Sequence, residues 1–399
     1  MLNVLRRPEH EILFLIARRD LDPEQRAIAR ELLSQVQDWA YLLATASTQG
    51  LLPLLHKHLQ LIGADVVPID KRSRLKREAV NNSQNVLHLL GKQFKLYRLL
   101  KANSIPVAIF KGSVLAQMAY GEISLRQAGD IDVLISRSHF RQARQLLESL
   151  GYQMTPSLTD VQLTSHLTSH CEIQFVRDDW LTVVDLHWAM APKNFVFKVE
   201  TDELLSRLQA VRVGGTEIET LATEDLILYL SMHGAKHLWR ALEWISSLGE
   251  LLRPAESIAW DMVIERAEKA RATRMLALGL RLAETVSGVH APPEVLRVVD
   301  GDESSKRMAR ETLSRIFNVS AAAVSSETNL YNLKVMDRKR DALLSALRAI
   351  FVPTFTDWSA LNLPPSLHPL YYAYRPLRLS KSYGTSIWRK RSSRGATCL

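Results

Sequence analysis

One stretch, Ile105 to Ile135 (IPVAIFKGSVLAQMAYGEISLRQAGDIDVLI), limits what this chain can fold into more than any other. A short apolar run from Ile105 to Phe110 reads as a strand and turns at Lys111-Gly112-Ser113. A helical pattern follows from Val114 to Tyr120, then a loop, then a second apolar run, Ile131–Ile135, entered through Asp130-Ile131-Asp132. Side chains alternate along a strand, so Asp130 and Asp132 project from one face about 7 Å apart. Carboxylates that close repel unless a cation or water lies between them. A Gly-Ser turn opening a helix presents free N–H groups suited to a phosphate. These parts together suggest a metal-dependent nucleotide site.

The remaining chain must frame that unit. At 399 residues it is long enough for two or three domains. With 47% hydrophobic and 23% charged residues it has an ordinary globular composition. The net charge of +9 would suit a polyanion. Part of the excess sits in a C-terminal tail (Arg378, Lys381, Arg389, Lys390, Arg391, Arg394), which reads as solvated. No basic stretch is interleaved with regularly spaced aromatics, so nucleic acid is a runner-up partner only. Cys171 and Cys398 are the only cysteines, which rules out a disulfide framework and fits a reducing cytoplasm. The N-terminus lacks a signal-peptide pattern, and no apolar run reaches the roughly 20 residues that span a bilayer.

Residues 8 to 60 read as helices, with Asp22 as an N-cap ahead of Pro23, and residues 71 to 102 as one long helix. Beyond Ile135, Ser138–Leu150 reads as a helix closed by Gly151. The alternation from His166 to Phe175 predicts a half-exposed strand, Asp178-Asp179 a turn, and Leu181–Trp188 a further strand. In that last strand Asp185 and His187 share a face with Val183. Should it lie beside the Asp130 strand, three carboxylates would converge. Gly214-Gly215 marks a hairpin turn, and helices follow to residue 350. Residues 353 to 379, rich in Pro, Trp and Tyr, are expected to wrap the helical surface. The expected parts are an N-terminal helical region (1–103), an α/β core (104–220), a helical domain (221–352) and a Pro/aromatic-rich segment with a basic tail (353–399).

In the order strand, Gly-Ser, helix, Asp-x-Asp strand and distal Asp strand, the chain resembles the polymerase-β-type nucleotidyltransferase superfamily. The runs KGSVLAQMAYGEISLRQAGDIDVLI, VVDLHWAM and HGAKHLWRALEW are similar to its bacterial branch of uncharacterised nucleotidyltransferases. The resemblance implies an α+β fold, in which a small mixed β-sheet core is flanked by helices. It implies that Gly112 and Ser113 bind the triphosphate, that Asp130, Asp132 and Asp185 hold two Mg²⁺ ions (or Mn²⁺), and that Asp185 orients or acts as the base. The implied reaction moves a nucleoside monophosphate from an NTP such as ATP to an acceptor hydroxyl on a small molecule, a saccharide or a protein. The competing reading is a non-catalytic nucleotide- or partner-binding module on the same fold.

Two departures from the superfamily pattern stand out. Sixteen residues separate Ser113 from Asp130, a longer loop than in the antibiotic-modifying members, and Lys111 stands where many members carry glycine. Lys111 is either a phosphate contact or an exposed helix-start lysine. Arg126 is either a second phosphate contact or a solvated loop residue. His233 and His237 have the i, i+4 spacing of a zinc pair, yet no third ligand is evident. Either they line the cleft with Lys236 and Trp239, or the two histidines are buried hydrogen-bonded groups. His187 is expected to act through a hydrogen bond to the site. Trp188, Trp239 and Trp244 are expected in the core.

Overall fold

A computed structural model describes residues 7–177, 182–317, 330–361 and 363–381. Four short helices, α1 (Pro8–Ile16), α2 (Pro23–Gln35), α3 (Trp39–Thr48) and α4 (Leu52–Ile62), precede the 34-residue α5 (Ile69–Ala102). The start of α2 is fixed locally. The Asp22 carboxylate accepts from Gln25 N, Gln25 reaches back to Asp22 N, and Pro23 supplies a preset φ at a position that needs no N–H.

The central unit is a five-stranded sheet in the order β1-β2-β5-β4-β3. Its strands are β1 (Val107–Ile109), β2 (Ile131–Ile135), β3 (Tyr152–Thr155), β4 (Glu172–Arg177) and β5 (Val183–His187). Strands β2 and β5 pair in parallel, and every other pairing in the sheet is antiparallel. Helix α6 (Gly112–Tyr120) connects β1 towards β2, and α7 (Phe140–Ser149) connects β2 to β3.

Both faces of the sheet are covered, so the paired strands β2 and β5 are apolar apart from Asp132, Asp185 and His187. Val107, Ile109, Val133 and Ile135 point into one core, with Leu96 and Leu100 of α5 and Phe140 and Leu147 of α7. Ala108, Phe110 and Leu134 point into the other, which is shared with α1 to α4 and the later helices. Asp132 lies on the Leu134 side by strand alternation. The acidic face is therefore turned towards the helical half of the molecule.

The sequence predicts a strand from His166, but the structure forms helix α8 (Asp160–Ser169) there, and β4 begins only at Glu172. A capping box decides the difference. Thr159 accepts from Gln162 N, and the Gln162 side chain returns to Thr159 N. The expected turn at Asp178-Asp179 lies outside the described residues.

A short helix, α9 (Thr201–Leu205), leads into the hairpin of β6 (Gln209–Val213) and β7 (Thr216–Thr220). It turns at Gly214 and Gly215, whose φ values of +51° and +81° suit a two-residue primed turn. Helices α10 (Thr223–Lys236), α11 (Leu242–Leu252), α12 (Trp260–Ala270), α13 (Thr273–Ser287), α14 (Pro293–Asp300) and α15 (Glu303–Arg315) form the helical half. The N-terminal helices lock onto it through Gln49, which accepts from Leu242 N at 2.8 Å and from Glu243 N at 3.1 Å. Those bonds satisfy free N–H groups at the start of α11.

The C-terminal segment contains α16 (Lys339–Phe351), α17 (Phe355–Ala360) and a helix over 371–381. It does not simply wrap the helical half. Trp358 and Tyr371 are buried in the core between the sheet, α5 and α7. Asp357, fully buried, binds Arg375 and Arg378 at 2.6 Å each and staples the two ends of the segment.

Candidate active site

The parallel register sets Asp132 of β2 directly beside Asp185 of β5, and Leu134 beside His187. Strand β4 closes the row on the other side, with Glu172 opposite His187 and Gln174 opposite Asp185. His187 Nε2 lies 3.0 Å from Asp132 Oδ1, and its Nδ1 lies 3.0 Å from Glu172 Oε2. The imidazole is thus held between two carboxylates. Phe110 fixes it edge-on, with ring centroids 5.1 Å apart, and packs the same way on Tyr229 of α10 at 5.0 Å. Such pairs contribute about 1 kcal/mol each beyond area burial.

Lys111 is the N-cap of α6, but its side chain turns inward. Nζ lies 2.7 Å from Asp132 Oδ1 and 5.4 Å from the Tyr229 ring centre. The reading as an exposed helix-start lysine is therefore excluded. Arg126 is not solvated either: it forms an ion pair with Glu243 at 2.6 Å, with both side chains largely buried. Gly112 adopts φ +55°, a conformation that costs a side chain about 1 kcal/mol or more. Ser113 is buried, and its hydroxyl donates to Gln93 Oε1 of α5 at 3.1 Å.

Of these groups, Lys111, Arg126, Asp132, Glu172, Asp185 and Glu243 line a cavity of about 360 Å³, whereas Gly112, Ser113 and His187 lie behind its wall. Its floor is Asp130, Asp132, Asp185 and Glu172, and one wall is the loop Arg126–Gly129. The opposite wall comes from the end of α10 and the start of α11: His233, Lys236, His237, Arg240, Glu243 and Trp244. Trp244 is thus a cavity residue, whereas Trp188 and Trp239 are buried core. The His233 and His237 rings lie 4.7 Å apart, tilted by 54°, and both pack edge-on to Trp244.

The electrostatics divide the acids. Burial, together with the neighbouring Asp132 and Asp185, pushes Asp130 up to about 6. Burial and Asp132 raise Asp185 as well. Burial would raise Asp132 too, but the Lys111 ammonium and the His187 hydrogen bond outweigh it and hold the carboxyl well below its usual range. Burial and the cations Lys111 and Lys236 keep His233 and His237 neutral, His237 lowered to about 3 and His233 well below its ordinary value.

Among the described residues, Asp132, Asp185 and His187 form the one cluster of three such side chains whose donor atoms lie within 4.8 Å of one another. Asp130 lines the same cavity outside that triangle. Asp185 Oδ1 is buried and without a hydrogen-bond partner. An orphaned carboxylate oxygen beside a second carboxylate suits a hard divalent cation, which prefers oxygen donors. The site residues therefore fit a metal.

Sequence reasoning missed Glu172, Tyr229, Arg240, Glu243 and Gln93. Arg240 lies in the HGAKHLWRALEW run, but nothing local marks it as a cavity residue. Glu172 reaches the site only through the β4–β5 register, which a single strand does not encode.

The cavity thus sets five carboxylates against four Lys and Arg, above a mixed sheet whose parallel pair carries two of those acids. Residues 35–288, more than half of the chain, match the family of uncharacterised nucleotidyltransferases, and the chain belongs to that family. No curated protein matches it in sequence. Among solved structures, the chain is similar to the antibiotic-resistance factor ANT(2'')-Ia, at 15% identity and a TM-score of 0.28, over 58% of this chain and 96% of that one. No helix among the described residues is long and apolar enough to cross a membrane.

Proposed function

We propose that the protein transfers a nucleoside monophosphate from an NTP, ATP among them, to an acceptor hydroxyl, with Mg²⁺ (or Mn²⁺) held by Asp132 and Asp185 and approached by Asp130. The observation that carries this reading is the parallel register that places Asp132 beside Asp185, the latter with an orphaned oxygen. Bound cations would neutralise phosphate charge and polarise the phosphoryl oxygens. The chain itself supplies the rest. Lys111, Arg126, Lys236 and Arg240 line the cavity and would meet the phosphates, while Gly112 and Ser113 lie buried behind Lys111 at the start of α6 and shape the turn that presents it. His187 fixes the orientation of Asp132. Asp185, raised by burial and by Asp132, is suited to accept a proton from the acceptor hydroxyl. The acceptor is a small molecule, a saccharide or a protein.

The test is incubation with labelled ATP, GTP, CTP or UTP, Mg²⁺ and acceptor pools, reading pyrophosphate release and label transfer. Asp132→Asn should abolish both. A wild-type protein that binds NTP tightly without turnover on any pool would instead be a nucleotide-binding module. The Lys111 ammonium already seated on Asp132 is the observation that favours this second reading.

A further inference from the structure

Eleven of the eighteen large apolar side chains exposed among the described residues fall between Leu330 and Leu377. On α16 they form a stripe. Asp341 and Ser345 are the buried residues of this helix, and Asp341 binds Arg271 at 2.5 Å. Leu343, Leu347 and Ile350 lie on the opposite side at helical spacing and are 61%, 43% and 41% exposed. An ordinary surface helix shows the reverse pattern. Phe351, Phe355 and Leu370 extend the exposed apolar surface into the next segment.

The charge around this surface has one sign. Residues 330–381 contain eight Lys and Arg, three Asp and no Glu. All three carboxylates are engaged with partners of their own: Asp337 accepts from the N–H groups of Thr273 and Arg274, Asp341 pairs with Arg271, and Asp357 with Arg375 and Arg378. Exposed Lys339 and Arg340 flank the apolar stripe at the start of α16. The following eighteen residues add Arg389, Lys390, Arg391 and Arg394 with no acid.

We propose that this face of α16 and the segment after it seats on an anionic phospholipid surface, lying in the headgroup region without spanning the bilayer. Apolar side chains flanked by cations, with no exposed acid on the segment, are the composition of an interfacial helix. A second copy of the chain fits less well. A two-fold contact through the stripe would bring Lys339 and Arg340 towards their own counterparts if the helices ran parallel, and in either direction this segment would offer no exposed carboxylate to those cations. Nucleic acid fits less well too, because the stripe itself is aliphatic and the nearby exposed aromatics, Phe351 and Phe355, lie at its end rather than interleaved with the cations.

The experiment is co-sedimentation of the full chain with phosphatidylcholine vesicles, with and without phosphatidylglycerol. The expected result is binding to the anionic vesicles, roughly tenfold or more weaker on phosphatidylcholine alone and weaker in high salt. Leu343→Glu, Leu347→Glu and Ile350→Glu combined should lower binding by roughly tenfold or more. These positions are exposed, so the melting curve should stay near wild type. If the triple variant melts early, Lys339→Glu with Arg340→Glu is read in its place. Absence of vesicle binding by the wild type overturns the proposal, as does binding that survives the apolar substitutions. Wild-type dimers that become monomers in the triple variant, with no vesicle binding, assign the face to a second copy and also overturn it.

Discussion

Lys111 Nζ and Asp132 Oδ1 sit 2.7 Å apart in the wall of the cavity, the carboxylate 2% exposed and the lysine 14%. The ammonium and a divalent cation would draw on the same carboxylate. Burial and Asp132 act on Lys111 in opposite directions, and attraction to Asp132 and Tyr229 leaves the ammonium firmly protonated.

Lys111→Met should therefore leave Asp132 buried with His187 as its remaining partner. Breaking a buried pair from one side costs about 3 kcal/mol or more. Added Mg²⁺ should recover part of that loss, so the rise in melting temperature on adding Mg²⁺ should be larger in the variant than in the wild type. Equal rises in both proteins would show that Lys111 and the cation do not share Asp132.

Asp185→Asn tests the neighbouring strand. The carboxylate is raised by burial and by Asp132, and one oxygen has no partner, so a neutral isostere relieves repulsion. Melting without cation should be unchanged or higher, while turnover falls by roughly a hundredfold or more. Loss of turnover with an unchanged Mg²⁺-induced melting shift would remove Asp185 from the cation site and leave it only as a proton acceptor.

Much of this arrangement is local in the sequence, and the rest is not. The strand, Gly-Ser turn and helix from Val107 to Tyr120 each depend on neighbours within a few residues, so periodicity and turn chemistry reveal them. The positions of Asp132 and Asp185 on strands are legible for the same reason. Their side-by-side register is not, because it is set by packing of both sheet faces. The His166 region misleads because a helix end and a strand start meet at His170-Cys171 and together mimic alternation. The Thr159 and Gln162 spacing was the local signal for the helix. Inward turning of Lys111 and Arg126 has no local signal, since Asp132 and Glu243 come from 21 and 117 residues further along.

Asp357 gives a pH test away from the cavity. Burial would raise its carboxyl, but the Thr354 N–H, Arg378 and Arg375 outweigh this and lower it. A depressed folded value means the stabilisation is present above the unfolded value of about 3.9 and fades as pH falls through the folded one. Asp357→Asn should thus cost stability at pH 7, on the order of 3 kcal/mol. The gap to wild type should narrow as both are melted at successively lower pH below about 4. A gap independent of pH would mean the staple acts through packing alone.

Gly234 tests what holds the histidine wall in place. The chain leaves α10 through Leu238 and Trp239, both at positive φ, and folds the Trp239 ring back onto the helix. A Cβ at Gly234 would meet three atoms of that ring at 2.5 Å. Trp239 is fully buried, so neither the ring nor the helix has room to yield. Gly234→Ala should therefore cost about 2 kcal/mol despite the better helix propensity of alanine. Displacing the turn also moves His237 and Arg240, which line the cavity next to it. The expected signature is a lower melting temperature together with weaker NTP binding by calorimetry. A variant that melts early but binds NTP like the wild type would detach this wall from nucleotide recognition.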